Sequence, residues 1–220
     1  MKTFIQFITE EEENHVAFAF GRFNPPTIGH KKLIQATEKV AAKHGVGANI
    51  IASHSEGTSK NPVPTKSKVG YLKKIVAPTT TVSHSDKESP SLLQQAAKFH
   101  KQGATHLHVV AGSDRVDEYH KLLHKYNGTQ EGALFNFKKI TVHSAGARDP
   151  DAEGTEGMSG TKMRHIAHHG TEDEFKKGLP KELHPDAKEI IGHITSIKED
   201  VDNDQENVYN EYVSVDILKK

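Results

Sequence analysis

Residues 16–45 read VAFAFGRFNPPTIGHKKLIQATEKVAAKHG. From Val16 to Gly21 the chain is a short, nearly continuous apolar run, the pattern of a strand buried on both faces. Gly21 through Thr27 then forms a stiff turn. Gly21 allows close backbone approach, and Pro25 and Pro26 fix φ. From Ile28 to His44, the residues Leu33, Thr37, Val40 and Ala41 share one helical face, and Gly45 stops the helix. A buried strand that feeds a helix through a short turn is the first half of a parallel βαβ unit.

The rest of the chain repeats this alternation. Strands are expected at Ala48–Ser53, Thr79–Ser83, His106–Ala111 and Lys139–His143, with helices at Ser67–Val76, Ser91–Gln102 and Val116–Lys125. The second helix is expected to bury Val69, Leu72 and Val76, the third Leu92, Ala96 and Phe99. Later helices start at Ser159 and at Asp186, the latter with Ala187, Ile190, Ile191, Ile194 and Ile197 on one face. This order predicts an α/β fold, a parallel sheet joined by right-handed crossovers with helices on both faces. Ligands of such sheets sit beyond the carboxyl ends of the strands. No internal repeat is present.

With 220 residues the chain suits one domain with a substantial core, and 34% hydrophobic residues place it in the globular range. Lys+Arg and Asp+Glu balance at 29 each, so no global field draws it to nucleic acid or an anionic membrane. Without cysteine, disulfides, thiolate nucleophiles and Cys-based zinc sites are excluded. No apolar run is long enough to span a bilayer. The 16 histidines show no sequence spacing of a metal site. His106 and His108 flank Leu107 and share a face of their strand. Apart from His30, the histidines read as solvated or locally bonded.

Two segments carry chemistry. The first is Gly21-Arg22-Phe23-Asn24-Pro25-Pro26-Thr27-Ile28-Gly29-His30. Gly29 removes bulk from the first helical turn, so His30 presents a ring N–H beside the free backbone N–H groups of a helix start, an anion site; the alternative reading is a Pro-Pro loop capped by Thr27, with His30 as an exposed helix residue. The second is Ser159-Gly160-Thr161-Lys162-Met163-Arg164. Its hydroxyls, glycine, helix start and two cations form a phosphate-binding arrangement. Read by itself it is equally an N-cap before an ordinary amphipathic helix, and that alternative stays open.

Taken together, the segments resemble the nucleotidylyltransferase superfamily. Thr27-Ile28-Gly29-His30 is similar to its (His/Thr)-x-Gly-His signature, and Met158–Arg164 to its Ile-Ser-Ser-Thr-x-x-Arg signature, with Met for Ile and Gly for the second Ser. Gly112-Ser113-Asp114-Arg115 looks like the family's Gly-x-Asp segment. The resemblance covers about residues 15–180. It implies a Rossmann-like parallel sheet of the adenine nucleotide alpha hydrolase-like kind. It also implies transfer of a nucleoside monophosphate, AMP from ATP, to a small phosphorylated acceptor. Implied catalytic residues are His30, Thr27 and Arg164. His30 and Thr27 would donate to the triphosphate, Gly21, Arg22, Phe23 and Gly29 would line the nucleotide, and Ser159, Thr161 and Arg164 would hold its β- and γ-phosphates. Gly112, Asp114 and Arg115 would face acceptor or nucleotide. Mg²⁺ would travel with ATP, with no protein ligand named. Arg22 within GRFNPP resembles nicotinamide mononucleotide adenylyltransferases, which make NAD. Phosphopantetheine adenylyltransferases and glycerol-phosphate cytidylyltransferases share the core and stay open, as does association into a homo-oligomer.

Residues 1–14 read as a leader, 15–198 as the domain, and 199–220 as an acidic linker with a C-terminal segment. Met1–Glu10 resembles the capsid-targeting leaders of internal head proteins of tailed phages, which are cut after an aliphatic-x-Glu site such as Ile8-Thr9-Glu10. That resemblance implies packaging in a phage head among its components. The alternatives are an ordinary N-terminus on an enzyme of the cell cytoplasm, and a non-catalytic virion or interaction protein built on the same core.

Overall fold

A computed structural model describes residues 13–146 and 158–197. The expected leader with its cleavage site, the loop 147–157 and the segment 198–220 lie outside the described residues. Five strands, β1 (His15–Gly21), β2 (Ala48–Ala52), β3 (Thr81–His84), β4 (His106–Ala111) and β5 (Lys139–Ser144), form one sheet of order β3-β2-β1-β4-β5. Every pairing is parallel. Helices are α1 (Ile28–Lys43), α2 (Thr65–Ile75), α3 (Leu92–Lys101), α4 (Val116–Lys125), α5 (Gly160–His169), α6 (Glu172–Gly178) and α7 (Ala187–Thr195). The fold is α/β and Rossmann-like, as the alternation predicts.

Strand alternation divides the core. Val16, Phe18 and Phe20 of β1 pack on one face with Leu92, Leu93 and Ala96 of α3 and Leu123 of α4. Ala17 and Ala19 point to the other face. Ala17 meets Val40 and Ala41 of α1, and Ala19 joins Leu72 of α2, Met163 of α5, Phe175 of α6 and Ile190 of α7. Helices therefore cover both faces, which is why the central strands are apolar on both alternations.

Several expectations shift. Helix α2 begins two residues earlier than expected and buries Lys68, Tyr71, Leu72 and Ile75, with Val69 and Val76 only half-buried. The tertiary position of Tyr71 and Ile75 against the sheet turns the helix about its axis. Strand β3 is displaced to Thr81–His84 and is largely exposed, as an edge strand is. Helix α6 is an added element, opened by a capping box between Thr171 and Glu174. The described fold also takes in Glu13 and Asn14, which the sequence assigns to the leader. The Asn14 carbonyl accepts from the amides of Thr105 and His106, and its amide donates to Thr105 Oγ1.

Candidate active site

In this strand order the chain departs to opposite sides from β1 and β4, which lie side by side. The loops leaving their carboxyl ends part there and open a crevice. A cleft of about 210 Å³ occupies that place. Its walls are Gly21, Arg22, Thr27, Gly29 and His30 after β1, Gly112, Asp114 and Arg115 after β4, and Ser159 and Gly160 at the start of α5. Nine residues assigned to a site from sequence positions as far apart as 21 and 159 thus line one cavity, with Gly160 of the second motif beside them. The sequence reading missed Lys32, Tyr119, Ala145 and Gly146, which also line it. Lys32 belongs to the first helix turns beside His30, and Ala145-Gly146 directly follow β5, so both positions follow from the topology.

The first motif is organised around His30. Thr27 is the N-cap of α1 and His30 its N3 residue. The Thr27 amide donates to His30 Nδ1 at 3.0 Å, and the Thr27 hydroxyl accepts from the His30 amide at 3.3 Å. An amide has only a proton to offer, so Nδ1 must be the unprotonated nitrogen. In the neutral ring the proton then sits on Nε2. The Thr27 hydroxyl also lies 3.1 Å from Nδ1, and the residue is only 2% exposed. The polar atoms of Thr27 thus hold the ring and cap the helix while the residue lines the cleft.

Phe23 does not line the cleft. It is fully buried, and its ring packs 4.9 Å from that of His30. Its φ of 48° is left-handed, a conformation that costs a bulky residue roughly 1–2 kcal/mol and that its burial sustains. A Cβ on Gly21 would come within 3.3 Å of the Phe23 ring, so Gly21 provides the space for this inward turn.

The second motif is both a cap and a wall. Ser159 Oγ accepts from the Lys162 amide at 3.0 Å, the N-cap arrangement left open above, while the residue still lines the cleft. Thr161 and Arg164 are not among the lining residues. Arg164 Nη1 donates to the Asn24 carbonyl at 3.0 Å, and Nη2 to Thr161 Oγ1 at 3.1 Å. Arg164 thus clamps the two motifs together. Gly160 completes the clamp, since a Cβ there would stand 3.3 Å from the Asn24 carbonyl oxygen. Asn24 is itself fixed from the other side: its Oδ1 accepts from the Val63 amide at 2.9 Å.

The N-termini of two helices, of 16 and 10 residues, thus stand at one cleft, an arrangement whose backbone amides suit an anion. Of the charged lining residues, Arg22, Lys32 and Arg115 are cationic and Asp114 anionic. Arg115 lies within 3.8 Å of Asp114 and 3.7 Å of Glu118, so part of its charge is compensated. A further residue unread in the sequence is Lys68, fully buried, whose Nζ donates to the carbonyls of Ser53 and Ser55 just past β2. It ties the strand's exit to α2.

No known family model matches this chain, and no curated protein is found to be similar. Among solved structures it is similar to Thermotoga maritima TmcAL bound with alpha-thio ATP, with a TM-score of 0.49 and 11% identity. That match covers 83% of this chain and 56% of the other, little more than half of TmcAL. It is also similar to Plasmodium falciparum nicotinic acid mononucleotide adenylyltransferase complexed with APC, with a TM-score of 0.49 and 15% identity over 83% of this chain and 95% of that one. Neither likeness assigns a reaction to this chain.

Proposed function

We propose that this protein transfers a nucleoside monophosphate from a nucleoside triphosphate, AMP from ATP, to a small phosphorylated acceptor. The observation that carries this reading is the convergence of two helix N-termini and the His30 ring on one cleft at the switch point. A triphosphate needs several donors at once, and this arrangement supplies backbone amides, an imidazole N–H and nearby cations without a buried carboxylate cluster.

In the proposed reaction an acceptor phosphate oxygen attacks the α-phosphorus. The bond from that phosphorus to the bridging oxygen of the β-phosphate breaks, and pyrophosphate leaves with the electron pair. No covalent enzyme intermediate is required. His30 Nε2–H donates to the α-phosphoryl region as negative charge grows there, which is preorganised electrostatic stabilisation. The start of α5 at Ser159 and Gly160 holds the leaving phosphates, and Arg164 acts through the clamp that sets this helix against the first motif. Asp114 is the one carboxylate among the lining residues. That donor set suits a Mg²⁺ that rides on the triphosphate through phosphate oxygens and water, so it names no protein cage for the ion.

Nicotinamide mononucleotide, giving NAD, is the acceptor we place first, because Arg22 stands in the cleft wall. The test is pyrophosphate release by the full chain with ATP or CTP against nicotinamide mononucleotide, phosphopantetheine and glycerol phosphate. Release with ATP and one acceptor is expected. If calorimetry finds no binding of ATP, CTP or their non-hydrolysable analogues, the reading fails.

A further inference from the structure

Five histidines that are scattered in the sequence meet on the α1 face of the sheet. His15 opens β1, His106 and His108 lie on β4, His143 lies on β5, and His44 is the C-cap of α1. Parallel register explains the meeting. His15 stands beside His106, and Ala17, a small neighbour, beside His108. The seven residues of β1 from His15 to Gly21 put about 20 Å between His15 and the cleft end of that strand, whereas His108 lies two residues before Val110, which lines the cleft, and His143 pairs with Val110.

The rings are linked in a chain. Glu13 Oε2 lies 3.0 Å from His15 Nε2, His15 Nδ1 lies 3.0 Å from His108 Nε2, and His108 Nδ1 lies 3.1 Å from His143 Nε2. His44 covers them, its ring centroid 4.5 Å from that of His15 and 3.9 Å from that of His108. One nitrogen from each of His15, His44 and His108 falls within 4.8 Å of the others.

We propose that His15, His44 and His108 bind a divalent transition metal of the zinc type, with water as fourth ligand. Imidazole nitrogen suits this class of ion, and three protein ligands with an open fourth position is a known coordination pattern for zinc. Zn–N bonds of 2.0–2.1 Å in a tetrahedron place ligand nitrogens about 3.3 Å apart, and His15 Nδ1 and His108 Nε2 already stand 3.0 Å apart. The outer nitrogens of both rings are partnered: His15 Nε2–H donates to Glu13, and on metal binding His108 carries its proton on Nδ1 and donates to His143. Such carboxylate–histidine–metal relays orient ligands and raise their basicity. The stacked His44 ring must turn to aim a nitrogen at the gap. It is half-buried at a helix end and followed by Gly45 at φ 67°, so it has room to do so. The C-terminus of α1 and Glu13 supply negative potential for the ion.

The test is Zn²⁺ titration of the full chain by calorimetry, with Co²⁺ absorption as a reporter of four-coordination. One equivalent of Zn²⁺ should bind, displace Co²⁺ and raise Tm. Loss of an orienting partner typically weakens a metal site by about 10–100-fold. Glu13→Gln should do that, and loss of a ligand in His44→Ala or His15→Gln should cost roughly a hundredfold or more. Both ligands are incompletely buried, and circular dichroism checks that each variant folds. His120→Gln/His124→Gln, which removes another stacked pair on α4, should leave the one-equivalent site unchanged. The proposal is overturned if no such site exists, if it survives both ligand substitutions, or if the α4 variant removes it.

Discussion

At the scale of single residues, the proposed chemistry turns on how His30 is held. Its Nδ1 faces the Thr27 amide, which commits the ring proton to Nε2. His30→Ala is expected to lower kcat roughly a hundredfold or more. Because the Thr27 amide then loses its acceptor, stability should fall by about 1 kcal/mol. Steady-state kinetics and thermal unfolding check the two effects separately, and wild-type turnover in this variant removes His30 from the reaction. Thr27→Ala tests the positioning role. Loss of an N-cap costs about 1 kcal/mol, and a ring freed to rotate should depress kcat more than it raises KM for the nucleotide. Thr27→Ser should restore both, whereas a purely structural Thr27 would leave kcat unchanged. His30 and its surroundings were legible because a strand, a Pro-Pro turn and a helix start lie within fifteen consecutive residues. The sequence left open whether Thr27 caps the helix, since no spacing reveals whether a hydroxyl faces a ligand or its own helix; the structure shows the cap.

At the scale of elements, the junction between the β1–α1 loop and α5 is where the two motifs are bonded together. Arg164 reaches the Asn24 carbonyl across 140 positions of sequence, and Gly160 lets the helix come close enough for it. Arg164→Ala should destabilise by about 1–3 kcal/mol, because a buried carbonyl loses a charged donor. It should also raise KM for the triphosphate more than for the acceptor. Arg164→Lys should recover little, as an ammonium cannot bridge Asn24 and Thr161 with the planar fork. Melting curves with and without ATP·Mg²⁺ decide this: an unchanged nucleotide-induced rise in Tm in Arg164→Ala would detach the clamp from binding. The capping box of α6 was present in the letters Thr171 to Glu174, and its seven-residue helix is simply short for a periodicity reading. The rotation of α2 was hidden, because its buried face includes Lys68, a residue type that hydrophobic patterning counts as solvent-facing.

At the scale of the molecule, α5, α6 and α7 form one packed layer with the sheet, centred on Met163, Phe175, Ile190 and Ile194. This layer holds the second motif at the cleft from behind. Phe175 is fully buried, so Phe175→Ala is expected to cost about 3–5 kcal/mol, measured by denaturant unfolding. The loss should extend to nucleotide affinity, since α5 rests on that side chain's neighbours. Retained affinity at temperatures well below the shifted Tm would show that α5 keeps its place without the layer. Ion pairs from Lys31 to Glu182 and Lys74 to Asp186 fasten the same layer at its rim, where exposure limits each to roughly 1 kcal/mol or less. Among the described residues no helix is long and apolar enough to cross a membrane.

Local order determined the strand–helix alternation, the parallel sheet and the two phosphate-type motifs, because hydrophobic period and turn chemistry act between neighbours in the chain. Tertiary structure decided the rest. It chose the strand order that opens the cleft between β1 and β4, and it brought Arg164 to the Asn24 carbonyl to join the two motifs. It also gathered His15 and His108, 93 positions apart, into one cluster with His44. A side chain's partner across such distances is set by register and packing, and neither is written in the spacing of the residues themselves.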